Sequence, residues 1–162
     1  MRWVIAVLLL YSFSSFAYLQ STDWDAYLEK KGYVDVQVFI PGIHVRLMYA
    51  DSANFLHQAV YAGMTKAWLH PDAAKKLQQA EAILQEQFPE YSFLVYDAAR
   101  PMEVQQKMWA VVRGTSKTYY VANPAKGGGL HNYGMAVDLT LIDAQGKPLP
   151  MGSPVDYFGE TS

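Results

Sequence analysis

Apolar residues recur at two different periods along this chain, and the places where the period changes predict its elements. Val34, Val36, Val38 and Ile40 alternate with Asp35, Gln37 and Phe39; Pro41-Gly42 turns the chain, and Val45, Leu47 and Tyr49 resume a period of two. That period belongs to a strand with one buried face, so the stretch predicts an early strand pair or two strand segments of a sheet. Asp51 to Phe55 then forms a polar connection into a stretch rich in aromatics that contains His57. From Pro71 the spacing lengthens. Ala73, Leu77, Ala80 and Leu84 lie three or four apart, with Lys75, Lys76, Gln79, Glu81, Gln85 and Glu86 on the other faces. This predicts an amphipathic helix ending near Phe88, where Pro89 helps to stop it.

Phe93 to Tyr96 is a short, fully apolar run of the kind that forms a buried strand. After it, Pro101 suits the first turn of a second helix carrying Val104, Met108 and Val111 on one side. Gly114 to Gly129 has no steady period and is expected to be a loop. Val137, Leu139 and Leu141 then alternate with Asp138, Thr140 and Ile142, a final strand before the turn at Asp143 to Lys147. Pro148 to Ser162 shows no clear periodicity, and no repeat, low-complexity segment or domain linker interrupts the chain.

Residues 1–17 have a different character. Arg2 precedes the apolar stretch Trp3 to Leu10, and Ser15-Phe16-Ala17 is a small-x-small site, together the pattern of a secretory signal cleaved after Ala17. The apolar run falls short of the roughly 18 to 20 residues that span a bilayer. The expectation is export to the periplasm or the medium, with 18–162 folding as a single domain. A retained N-terminal anchor is the lesser alternative.

Loss of Arg2 would move the formal net charge from -2 to -3, a weak acidic balance that gives no reason to expect nucleic acid or an anionic membrane as partner. The chain has no Cys, so packing rather than disulfides must hold it in an oxidising compartment.

The candidate chemistry lies in residues 127–138, Gly-Gly-Gly-Leu-His-Asn-Tyr-Gly-Met-Ala-Val-Asp. His131 stands seven residues before Asp138 across a glycine-rich turn. An imidazole and a carboxylate brought together are two of the three protein ligands that a catalytic zinc requires. Asp138 among Ala136, Val137, Leu139 and Leu141 would be costly to bury unless a metal, an Arg or several donors met it. Spacing alone leaves two readings open: a metal pair, or an Asp138 that caps a turn or pairs with Arg100 beside a satisfied loop histidine.

The identities of the residues go further than their spacing. His131-Asn132-Tyr133-Gly134-Met135-Ala136-Val137-Asp138 resembles the H-x-x-G-x-A-x-D pattern of the D-alanyl-D-alanine dipeptidases, the VanX-type zinc peptidases. Further similarity lies in Asn54-Phe55, in Tyr96-Asp97-Ala98-Ala99-Arg100-Pro101, in Asp138-Leu139-Thr140-Leu141, and from Pro150-Met151-Gly152-Ser153 to Asp156-Tyr157-Phe158. The resemblance implies that His131 and Asp138 bind Zn2+ and that Arg100 stabilises charge developing on the substrate. It also implies a small α+β domain, a DD-peptidase-like zinc fold in which an antiparallel sheet carries the metal and helices pack behind it. The implied reaction is hydrolysis of the D-Ala-D-Ala dipeptide in cell-wall metabolism. A D,D-carboxypeptidase or endopeptidase acting on peptidoglycan stem peptides is the alternative.

Two departures accompany the resemblance. Gly129 stands where the family usually has Ser, and the Glu-x-x-His segment that carries the family's catalytic Glu and third zinc ligand occurs nowhere in the 162 residues. His44, His57 and His70 are each expected to be structural or exposed rather than substitutes. The domain is therefore expected to be C-terminally incomplete. Taken as it stands, it is expected to be a remnant at least about a hundredfold less active than an intact relative, since that is the usual worth of a general base.

Overall fold

The computed structural model describes residues 22–159; the signal expected at 1–17 lies outside them. Helix α1 (Trp24–Lys30) begins at Asp23, whose side chain accepts from Ala26 N. Strand β1 (Val34–Asp35) runs directly into a one-turn helix α2 (Val36–Phe39), followed by strand β2 (His44–Val45). Strand β3 (Trp68–Leu69), helix α3 (Pro71–Gln87), strand β4 (Ser92–Asp97), helix α4 (Met102–Val112) and strand β5 (Asp138–Ile142) complete the order.

The period of two at 34–40 proves to be mostly helical. Val36 and Ile40 are buried four residues apart while Val38 is 78% exposed, which is the signature of one helix face rather than a strand. Asp35 starts the turn by accepting from Gln37 N. Likewise Leu47 to Ala50 leaves the strand after two residues, with Met48–Ala50 forming a 3-10 turn that buries Met48 and Tyr49 together.

The remaining elements fall where the periods predict, with shifted faces. In α3 the buried residues are Ala74, Leu77 and Glu81. Ala80 faces out and Glu81 faces in, because the Glu81 carboxylate takes hydrogen bonds from Ser92 Oγ, Phe93 N and Gln85 Nε2, each at 3.2 Å. A buried carboxylate met by three donors no longer carries the cost of desolvation alone. In α4 the inward side is Val104, Met108 and Val112, while Val111 is exposed.

The main sheet has the order β2-β4-β5, with β4 and β5 antiparallel and β2 joined to β4 in parallel, so the sheet is mixed. Strands β1 and β3 form a separate antiparallel pair. Helix α3 packs against β4, and one apolar core runs through Val36, Leu69, Leu77, Val95, Met108 and Ile142. No helix among the described residues is long and apolar enough to cross a membrane.

The sheet is irregular at one end. Val95 pairs with Leu139, but the next pair is Asp97 with Asp138, so Tyr96 is the extra residue of a bulge. Bulges re-aim side chains, and this one sets two carboxylates side by side where the strands finish.

Candidate metal centre

His131 is held by the backbone around it. It sits in the 3-10 turn Leu130–Tyr133, closed by Gly134 at φ 63°. A Cβ at Gly134 would lie 2.4 Å from Tyr33 Cε1 and 2.9 Å from His70 N, so glycine is required there for space as well as for conformation. Gly134 O accepts from His70 N, and His131 O accepts from Arg100 N at 2.8 Å. Asn132 ties the turn on both sides, accepting from Gly129 N and donating to Arg100 O.

The ring is oriented as well as placed. His131 Nδ1 lies 2.8 Å from Ala98 O, an acceptor, so that nitrogen carries a proton, and in the neutral ring the lone pair is on Nε2. Nε2 faces Asp138 Oδ1 at 3.4 Å. Two donors bound to a tetrahedral zinc at ~2.0–2.1 Å lie about 3.3 Å apart, so the pair is already spaced as such an ion would space it. Ligating histidines commonly give their other N–H to a backbone carbonyl, as His131 does to Ala98. The donor set therefore fits zinc, with His131 Nε2 and Asp138 as the groups that would hold it.

Asp97 completes a trio whose potential ligand atoms lie within 4.8 Å of one another, yet its carboxylate is committed elsewhere. It is fully buried and accepts from Tyr61 Oη, Ala98 N, and both Nε and Nη2 of Arg100. It also approaches His131 from the Nδ1 side, at 3.6 Å, not from the Nε2 side. Asp97 is the holder of Arg100 rather than a third ligand. Among the described residues no other histidine lines the cleft: His44 and His57 are exposed, and His70 caps α3 by accepting from Asp72 N.

Arg100 reaches the metal pair, with Nη2 3.7 Å from Asp138 Oδ2. Its third anchor is Gln105, whose Oε1 accepts from Nη1 at 3.0 Å, and its guanidinium lies 5.3 Å from the centre of the Tyr49 ring. The approach of Arg100 to Asp138 that spacing leaves open is thus present, and Arg100 is at the same time paired with Asp97.

The electrostatics follow from these contacts. Burial works against charge on His131, but the bond to Asp138 and the field of Asp97 outweigh it and raise its pKa. Burial likewise favours neutral Asp138, yet His131 and Arg100 together hold its carboxyl below the ordinary range. For Arg100, burial is outweighed by Asp97, and the guanidinium stays charged.

These groups open onto a cleft of about 690 Å³ whose lining includes Tyr49, Met108, Tyr120, Asp156 and Phe158. Asp156 stands at φ 62°, accepting from Tyr49 Oη at 2.8 Å and from Phe55 N at 3.4 Å. Burial outweighs those bonds and pushes its carboxyl up. Tyr96 packs in the core and takes a hydrogen bond from Arg46 at its hydroxyl. Asp97, Gln105 and Asp156 carry no periodic signal, and for Asp97 and Asp156 the available sign is their place inside family-like segments.

Comparison with known proteins agrees with the geometry. Residues 29–162 match the family model described as D-Ala-D-Ala dipeptidase. Over 129 residues the chain is 33% identical to the D-alanyl-D-alanine dipeptidase of Escherichia coli (strain K12), covering 80% of this chain and 63% of that protein. It is 28% identical to the D-alanyl-D-alanine dipeptidase of Synechocystis sp., covering 64% of this chain and 52% of that protein. The chain thus spans less than two thirds of the length of these relatives.

Proposed function

The chain belongs to the D-Ala-D-Ala dipeptidase family, and from that premise we propose that its cleft is the metal-bearing part of a zinc peptidase site that hydrolyses the D-Ala-D-Ala dipeptide. The observation that carries this reading is the His131 Nε2 to Asp138 Oδ1 spacing of 3.4 Å, with Nδ1 turned to Ala98 O and Arg100 3.7 Å from Asp138. Zinc bound there would supply Lewis acidity to a water and to the scissile carbonyl.

The chain's own residues hold, orient and balance charge around that ion. His131 and Asp138 would hold it and are themselves held, His131 by Ala98 O and Asp138 by its place at the end of β5. Arg100 has Nε and Nη2 on Asp97 and Nη1 on Gln105, so its plane is fixed and its charge permanent. A preorganised cation beside the metal pair is suited to an oxyanion, because its orientation costs nothing at the moment charge develops. Asp156, a carboxylate in the same cleft, suits the ammonium of a short peptide.

The test is zinc content and D-alanine release measured together on the purified chain, with a stem peptide ending in D-Ala-D-Ala as second substrate. Zinc bound near one per chain, lost in a His131→Ala variant, supports the metal site. D-alanine released from the dipeptide but not from the stem peptide supports the dipeptidase; preference for the stem peptide supports the carboxypeptidase. Zinc binding with neither product would mark a metal-binding remnant. We further propose that the protein works outside the cytoplasmic membrane, on the strength of the residue pattern at 1–17. Recovery of the protein in the cytoplasmic fraction with Met1 intact would contradict it.

A further inference from the structure

Gln105 is a buried amide that the metal chemistry does not require. It lies in α4, is 1% exposed, and makes two hydrogen bonds with opposite ends of its side chain. Oε1 accepts from Arg100 Nη1 at 3.0 Å, and Nε2 donates to Ala122 O at 2.7 Å. Its amide orientation is thereby determined, since exchanging O and N would set a donor against the guanidinium and an acceptor against the carbonyl.

Ala122 belongs to the segment that follows α4 and lines the cleft, and its Cβ sits where a Cβ added at Gly129 would meet it at 3.1 Å. The segment is thus pressed against the glycine-rich turn that carries His131. Gln105 is the side chain through which that wall reaches the arginine.

We propose that Gln105 is a positioning residue: it fixes the Nη1 side of Arg100 and ties the guanidinium to the loop wall at Ala122, so that Arg100 faces the metal pair in one orientation. Asp97 holds the Nε edge and one Nη2 proton. A guanidinium gripped on that edge alone can still tilt about it; the bond on Nη1 removes the tilt. An isolated buried amide would be costly, and here both of its ends are satisfied by groups that line or face the cleft.

This inference rests on the proposed role of Arg100, so its test has one arm that needs no turnover. In metal-free protein labelled with 15N, the Arg100 side-chain signals report restricted rotation directly. Gln105→Met keeps the volume and removes both bonds; Gln105→Glu keeps the acceptor for Arg100 and loses the donor to Ala122. The expected result is exchange-broadened or averaged Arg100 Nη signals in the Met variant and resolved ones in wild type and Glu.

With D-Ala-D-Ala as substrate, kcat should fall about 10- to 100-fold in the Met variant, as for a misplaced catalytic group. KM and zinc affinity should stay near wild type, and Glu should recover most of the loss. Unchanged Arg100 signals in the Met variant would overturn the proposal whether or not the protein turns over. So would averaged Arg100 signals in the Glu variant, whose carboxylate still accepts from Nη1, since that bond would then not set the orientation of the guanidinium. Inactive wild type with the expected spectra would instead count against the proposed function alone.

Discussion

The two walls of the cleft are held in different ways. On one side Asp97, Arg100, His131 and Asp138 sit on β4, the segment between β4 and α4, the turn between residues 130 and 133, and β5, and each is bonded to backbone or to another of the group. On the other side residues 153–158 follow the sheet without joining it. Asp156 is fixed by Tyr49 and Phe55, and Phe158 stacks on Tyr120 at 5.0 Å between ring centres and leans on Phe55 at 4.8 Å. The charged wall has its geometry set by strand register, whereas the aromatic wall has its position set by side-chain contacts. Groups that must aim at an ion need the first kind of support.

The most severe way to break that difference is Asp97→Ala. It leaves Arg100 buried without its main counterion, and the expected loss of stability is about 3–5 kcal/mol, measured by urea unfolding. A loss no larger than that of a surface substitution would show that the charged wall is not held by this pair.

Next in size is His131→Ala. Zinc affinity should drop by more than the roughly 10- to 100-fold that loss of an outer-shell partner costs, read by competition with a chromophoric chelator. Retention of wild-type affinity would remove His131 from the site and leave the walls chemically alike.

Acidity sharpens the contrast further. His131 binds its proton more tightly folded than unfolded, so its contribution to stability is full below about pH 6.5 and disappears as pH rises through its raised folded value. Asp138 behaves oppositely: its contribution is present above about pH 4 and is lost as pH falls through its lowered folded value. The metal-free protein should therefore draw most from this pair between those limits. Zinc competes with the proton on Nε2, so its apparent affinity should rise by up to about tenfold per pH unit until His131 is neutral. A flat affinity between about pH 6 and 8, by calorimetry, would contradict the ligand assignment.

The smallest effect is expected on the aromatic wall. Phe158→Ala removes one stacked and one tilted ring contact, about 1 kcal/mol, and should show as faster hydrogen exchange confined to residues 153–158 and their partners. Global unfolding of comparable size would mean that this wall is as deeply tied to the fold as the other.

Much of this organisation is legible in the order of residues alone. Helix α3 and strands β4 and β5 lie where their periods predict them, and the residue pattern singles out His131, Asp138 and Arg100. The short elements are not legible in that way. Val34 to Ile40 fits a strand period and a single helical turn equally well, and burial of Val36 with Ile40 decides for the helix. Glu81 reads as a surface charge until Ser92 and Phe93, eleven and twelve residues away, supply its donors.

What the chain's sequence determined by itself is therefore local: where long periods run, where the chain can turn, and which residue types could bind an ion. The tertiary structure decided which of the two neighbouring carboxylates is left free to face an ion. Asp97 and Asp138 are the same residue type, paired across one bulge. The difference is that Tyr61 and Arg100 converge on Asp97 from separate elements, while Asp138 is left with the Nε2 edge of the imidazole. Hydrogen-bond partners that arrive from far along the chain leave no period and no spacing, so they exist as information only once the chain is folded.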